Sequence, residues 1–134
     1  MPYTFAQADN VLAIAERRYG SGRIVRFTRF TSCLGLLGRR GNTVRGVHLS
    51  THAQDGTVFN NDAADLAIGH LDAYDQLVLI GHINTWQQQL PGPYARLHSQ
   101  LSNPIPHDVA NGDYGGQVED GIFQLYMNGD WVGV

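Results

Sequence analysis

Residues 76–83, Gln-Leu-Val-Leu-Ile-Gly-His-Ile, are apolar at successive positions, not at alternate ones. A strand of this composition buries both faces, so the chain has to supply a packed layer above it and another below. That demand excludes a one-sided sheet open to water and makes 76–83 the expected central strand. Two other segments read as β-hairpins. One is 31–50, where Gly41-Asn42 offers the positive-φ residues of a tight connection. The other is 122–134, where Asn128-Gly129 divides two short apolar runs, and Asn-Gly is the strongest short-range hairpin signal.

Helices are expected around these strands. Thr4 and Gln7 have capping-box spacing, which predicts a helix burying Ala8, Val11, Leu12 and Ala15 and closed by Gly20. Residues 23–30 alternate as a strand leading into the first hairpin. Asn61 caps a second helix whose inward side is Leu66, Ala67, His70, Leu71 and Tyr74. Pro93 opens a short third helix presenting Tyr94, Leu97 and Leu101. The two prolines and three glycines of 102–116 predict a long loop. The expected class is α/β in the α+β sense: a mixed, largely antiparallel sheet built from two hairpins and a central strand, with helices packed on it.

A chain of 134 residues suits one domain, and 1–134 is read as a single catalytic domain. No apolar run approaches the ~20 residues that span a bilayer. The first residues lack the basic and apolar regions of a secretory signal. The expected location is the cytoplasm, or a target cell's cytosol reached without a cleaved signal peptide. With Cys33 the sole cysteine, no internal disulfide is possible.

Charge is unevenly spread. Residues 1–50 hold eight arginines against Asp9 and Glu16, a net +6, while 51–134 carry a net −9. Two halves that neutralise each other on folding explain this more simply than an acidic partner does. All nine basic residues are arginine. GC-rich coding accounts for that, and so does delivery into a eukaryotic cytosol, where lysine is the ubiquitination target.

The six histidines are scattered without ligand spacing, so no metal and no cofactor is expected. Neither a phosphate-cradling nor a dinucleotide-binding glycine pattern occurs. Only Arg26-Phe-Thr-Arg-Phe30 interleaves base and aromatic, and the acidic total argues against nucleic acid. A monomer with neither a nucleic-acid nor a membrane partner is expected.

The chemistry concentrates in the first hairpin. A turn centred between Arg40 and Gly41 opposes residues whose numbers sum to 81, which sets Cys33 against His48. Opposed residues share a face, with Cβ atoms about 4.5–5.5 Å apart, in reach of a thiol–imidazole ion pair. That pair is the minimal kit for nucleophilic acyl chemistry. Small Thr31-Ser32 leaves room for a substrate. Arginines 26, 29, 39, 40 and 45 crowd the segment, and positive charge favours a thiolate. The bland alternative is an inert core cysteine beside a satisfied histidine.

A strand cysteine with its histidine on the next strand resembles the Cys–His glutamine deamidases. That group includes the CheD chemotaxis deamidase, the catalytic domain of the cytotoxic necrotising factors, and Burkholderia lethal factor. Ser32-Cys33 looks like the Gly-Ser-Cys of the chemotaxis branch, and Val47-His48-Leu49 like the family's apolar-His strand. The likeness covers residues 24–50. The chain departs from it in having Thr31 where a glycine is expected. The family's third group, often a threonine, falls on Phe27 by strict count, with Thr28 and Thr31 as substitutes; in an extended strand Thr31 shares the face of Cys33. The resemblance implies Cys33 as nucleophile, His48 as acid and base, and Thr31 as orienting group. Ser32 and Leu34, through their amides, and Arg29 and Arg45 would meet the substrate, a protein bearing the modified glutamine. Another Cys–His amidase or peptidase, and a non-enzymatic interaction module, remain the competing readings.

Overall fold

The computed structural model describes residues 3–134. It is a mixed α/β fold of three layers, set by the burial demand of the continuous apolar strand. The strand is interior but next to the sheet edge, not central, and ends at residue 81 because a helix starts at Ile83. That strand, β6 (Gln76–Gly81), is buried from Leu77 onward. It lies within a six-stranded sheet with β1 (Ala6–Gln7), β2 (Arg18–Gly22), β4 (Leu34–Arg40), β5 (Thr43–Leu49) and β7 (Ile105–Asp108), in the order β1-β2-β5-β4-β6-β7. A four-stranded antiparallel sheet, β10-β9-β8-β3, consists of β3 (Ile24–Arg26), β8 (Tyr114–Glu119), β9 (Ile122–Met127) and β10 (Asp130–Gly133). The helices are α1 (Asn61–Gly69), α2 (Ile83–Gln89) and α3 (Pro91–Gln100). None of the described helices is long and apolar enough to cross a membrane.

Strand alternation divides the core in two. Leu34, Leu36, Val47, Leu49, Leu77 and Leu79 face the helices and pack on Ala63, Ala67, Trp86 and Leu97. Cys33, Leu37, Val44, Val78 and Ile80 turn the other way and meet Val25, Phe27, Phe30 and Phe123 between the sheets. The two hairpins therefore stand in different sheets.

Several expectations are met and several fail. The third helix begins with Pro91, and Tyr94, Leu97 and Leu101 are buried. Asn128 and Gly129 both have positive φ and join Met127 to Asp130 as a two-residue turn. The helix expected to follow an Asn61 cap is α1, capped instead by Asn60, which accepts from the Ala63 amide at 2.9 Å, and Leu66 lies on its exposed side. The expected helix before Gly20 does not form. Asn10 captures the Leu12 amide with its side chain and the Ala13 amide with its carbonyl, closing a turn, and local bonding of this kind competes with helix. Arg17 then takes a φ of 61°, which no helix contains. The expected loop 102–116 holds β7 and the start of β8. Pro106 is tolerated in β7 because that strand is a sheet edge.

The first hairpin has a different register from the expected one. Arg40 pairs with Thr43 and Leu34 with Leu49, so opposed numbers sum to 83 and Gly35 faces His48. The cause is the turn itself: Gly41, at φ 59°, is the first of the two central residues, not the second. A one-residue slip would have turned every side chain over. A shift of two residues along one strand keeps Cys33 and His48 on one face, as a diagonal pair.

Candidate functional site

His48 is fixed by the segment expected to be helical. Ile14 crosses beneath β5 in an isolated bridge to Phe27, and its carbonyl accepts from the Thr28 amide at 3.0 Å. The same carbonyl lies 2.8 Å from His48 Nδ1. A carbonyl only accepts, so Nδ1 carries the ring proton and Nε2 keeps a bare lone pair. Among the described residues Nε2 is buried without a hydrogen-bond partner, as are the Nε2 atoms of His82 and His107. Phe27 and Phe30 pack on the imidazole, with centroids at 5.4 and 4.9 Å. They reach it because Gly35 and Gly46 carry no side chain: a Cβ on Gly35 would sit 2.8–3.0 Å from both rings.

Cys33 is placed by a strained approach. Ser32 has a φ of 89°, a left-handed value that is rare for serine and costs free energy. The Trp86 indole N–H donates to the Ser32 carbonyl at 3.0 Å, and the His82 amide donates to the Cys33 carbonyl at 3.1 Å. Gly81 is required alongside, since a Cβ there would run into the Cys33 carbonyl. The helix layer thus grips the backbone while the thiol points into the inter-sheet layer.

A third residue completes the group. The Cys33 thiol donates to Glu16 Oε1 at 3.3 Å, and the donor atoms of Glu16, Cys33 and His48 all lie within 4.8 Å of one another. Glu16 Oε2 faces Arg17 Nη1 at 3.4 Å. Arg17 is itself tied to Ser50 Oγ at 2.9 Å.

Burial dominates the electrostatics. Cys33 is 1% exposed and its thiol is pushed up to about 12, first by burial and then by the Glu16 carboxylate. The Thr31 backbone, which outweighs either effect of Glu16 taken singly, and Arg17 pull the other way. His48 is fully buried, and burial lowers its pKa against the opposing effects of the Ile14 carbonyl and Glu16. The resting pair is a neutral thiol beside a neutral imidazole, where an ion pair was expected.

The other expected residues stand apart from this group. Thr31 is exposed, and Ser32 breaks the extended backbone on which its shared face with Cys33 depended. The orienting position at the imidazole is held by the Ile14 carbonyl. Ser32 is exposed beside the thiol. Leu34 turns its side chain into the helix-facing core and its backbone pairs with Leu49 in the β4–β5 ladder. Arg29 is exposed. Arg45 lies on the other face of β5 from His48, bonded to Ser21 Oγ and the His70 carbonyl. Arg26 stacks over Tyr126 at 4.0 Å, and Arg39 bonds to Gln76 and to the Gly41 and Gly121 carbonyls. The cation that acts on the thiol is Arg17. Ile14 and Glu16 were missed because they sit in the misread segment. Glu16 did carry one signal, as the only glutamate in the basic half of the chain. A separate concavity of about 490 Å³, lined by Ile83, Pro91, Tyr94 and His98 among others, shares no lining residue with this group.

No protein-family model matches the chain, and no curated protein does. Among solved structures, the chain is similar to the C-terminal domain of CNFy from Yersinia pseudotuberculosis, at 10% identity and a TM-score of 0.36. The alignment covers 87% of this chain and 50% of that one, so the chain spans about half the length of that domain. A likeness this slight shows neither a shared family nor a shared activity.

Proposed function

We propose that Cys33 and His48 are the nucleophile and the base of a hydrolase that deamidates a glutamine side chain on a target protein. The observation that carries this reading is the pairing: Ile14 holds the ring proton on Nδ1, which leaves Nε2 a bare base, and the thiol, the Glu16 carboxylate and a ring nitrogen of His48 lie within 4.8 Å of one another. The resemblance of residues 24–50 to the Cys–His glutamine deamidases supplies the substrate class.

The chemical steps depend on that arrangement. His48 takes the thiol proton as Cys33 sulfur attacks the carboxamide carbon. Backbone amides at Ser32 and Cys33, ahead of the β4–β5 ladder, stabilise the oxyanion. His48 then returns the proton to the departing ammonia, which leaves a thioester. Water, activated by the same imidazole, releases glutamate and restores the thiol. Because the resting thiol is buried and neutral, the incoming amide must displace Glu16 from the sulfur or move the irregular stretch 28–32 before attack.

The test is to incubate lysate proteins with the chain in the presence of a chelator, measuring ammonia and intact mass. Ammonia release with amide-to-acid conversion is expected for the wild type, and neither for Cys33→Ser or His48→Ala. Activity equal to wild type in Cys33→Ser would refute the reading. The buried thiol favours the second reading, an interaction module with Cys33 as a core residue; a native thiol that resists small alkylating agents at every pH below unfolding would support it.

A further inference from the structure

We propose that Glu16, Cys33 and His48 bind a thiophilic divalent cation of the Zn²⁺ class, and that the bound ion holds the site inactive. Binding stands on the geometry alone; the inhibition rests on the hydrolase reading.

Three different donors converge here from three parts of the chain. Glu16 precedes β2, Cys33 precedes β4, and His48 lies in β5. A tetrahedral ion with bonds of about 2.0–2.3 Å needs neighbouring donor atoms about 3.3–3.8 Å apart. The thiol and Glu16 Oε1 are already at 3.3 Å, and no separation in the group exceeds 4.8 Å. Closing any wider gap takes a small shift of the side chains, of which Glu16, 41% exposed, is the least enclosed.

Independent of this spacing, His48 Nε2 is a buried polar atom with no partner, on a residue of zero exposure. Such an atom lacks the hydrogen bond that burial normally requires, and a coordinated cation would satisfy it. The other ring nitrogen already donates to the Ile14 carbonyl, as the second nitrogen of a metal-bound imidazole does.

Charge and softness select the ion. One thiolate and one carboxylate balance a dication, leaving a neutral complex in a layer that otherwise excludes charge. Thiolate and imidazole favour Zn²⁺ over Mg²⁺ or Ca²⁺, which take oxygen ligands. Glu16 Oε2 stays with Arg17, so Oε1 is the donor, and a water fills the fourth position. On binding, the S–H proton leaves to solvent as the sulfur–metal bond forms, with no change of oxidation state. The bound ion occupies both the nucleophile and the base.

The full chain, stripped of metal, is titrated with Co²⁺ as the spectroscopic probe and then with Zn²⁺ as competitor. One Co²⁺ per chain with a sulfur-to-cobalt charge-transfer band is expected, displaced by equimolar Zn²⁺. Cys33→Ser should lose the band. Glu16→Gln, checked for folding by circular dichroism, should weaken binding at least about tenfold, since losing even an outer-shell partner costs that much. No charge-transfer band in the wild type, or Glu16→Gln binding as tightly as wild type, overturns the site. Amide hydrolysis undiminished by stoichiometric Zn²⁺ overturns the inhibition while leaving the hydrolase standing. Tight binding in a chain that never hydrolyses amides upholds the site and refutes the hydrolase.

Discussion

The two apolar layers on either face of the six-stranded sheet are built differently. The helix-facing layer is closed by large side chains such as Leu36, Leu79, Phe59 and Trp86. Its buried polar groups are paired, as where Tyr3 OH donates to the Ser50 carbonyl at 2.8 Å. The inter-sheet layer places a histidine, a cysteine and an approaching carboxylate among phenylalanines. It makes room for them with glycines on β4 and β5. One layer is packed for stability alone. The other accepts an unpartnered imidazole nitrogen and a strained Ser32, both of which cost free energy. His82 and His107 also bury an Nε2 without a partner among the described residues, so what sets the inter-sheet layer apart is the company of a thiol and a carboxylate, and that makes the two layers separable by mutation.

The largest stability effect belongs to the helix side. Leu36→Ala should destabilise by about 2–5 kcal/mol in chemical unfolding, the cost of deleting a fully buried leucine. Its effect on the native reactivity of Cys33 should be slight; a large change there would mean the layers are not separable. Gly35→Ala is the inter-sheet counterpart. Its new methyl meets Phe27 and Phe30, so a loss of about 1–3 kcal/mol is expected. Here the loss should come with altered Cys33 alkylation, because the displaced rings flank His48.

Acid provides a third contrast. Burial lowers the His48 pKa below 6.5, so the unfolded chain binds the extra proton first as pH falls. The stability involved is fully present above 6.5 and is lost as pH falls toward the folded-state value, by at most about 1.4 kcal/mol per pH unit. In metal-free protein, His48→Gln should flatten that slope, as read from unfolding midpoints between pH 7 and pH 5. An unchanged slope would remove His48 as a source of acid sensitivity. The smallest effect is expected at the link between layers. Trp86→Phe keeps an aromatic ring and loses the bond to the Ser32 carbonyl, costing about 0.5–1.5 kcal/mol. It should raise Cys33 alkylation by loosening the strained approach.

The parts legible in the sequence were those set by local chemistry. The continuous apolar run marked β6 as a strand buried on both faces, though not its place beside the sheet edge, and Asn128-Gly129 located a hairpin to the residue. Asp120-Gly121, with positive φ at both residues, joins β8 to β9 in the same way. That signal was equally readable, and Gly115-Gly116 masked the strand before it by looking like loop. The Cys33–His48 pairing survived a register error because strand faces repeat every two residues. What could not be read was long-range. Residues 4–20 have helical spacing, and only tertiary contacts with β5 and Phe27 hold Ile14 and Glu16 against His48 and Cys33. The depth of burial was also out of reach, since the second sheet that covers the site was not foreseen as a separate layer. Burial, more than neighbouring arginine, then sets the protonation of the pair.

The central claim is that Ile14 fixes the His48 proton on Nδ1 and leaves Nε2 bare for the thiol. Long-range ¹H–¹⁵N correlation of histidine-labelled, metal-free protein at neutral pH tests this most directly, with His48 assigned by its loss in His48→Gln. A neutral ring protonated at Nδ1 is the predicted result. A ring protonated at Nε2, or an imidazolium at neutral pH, would contradict it.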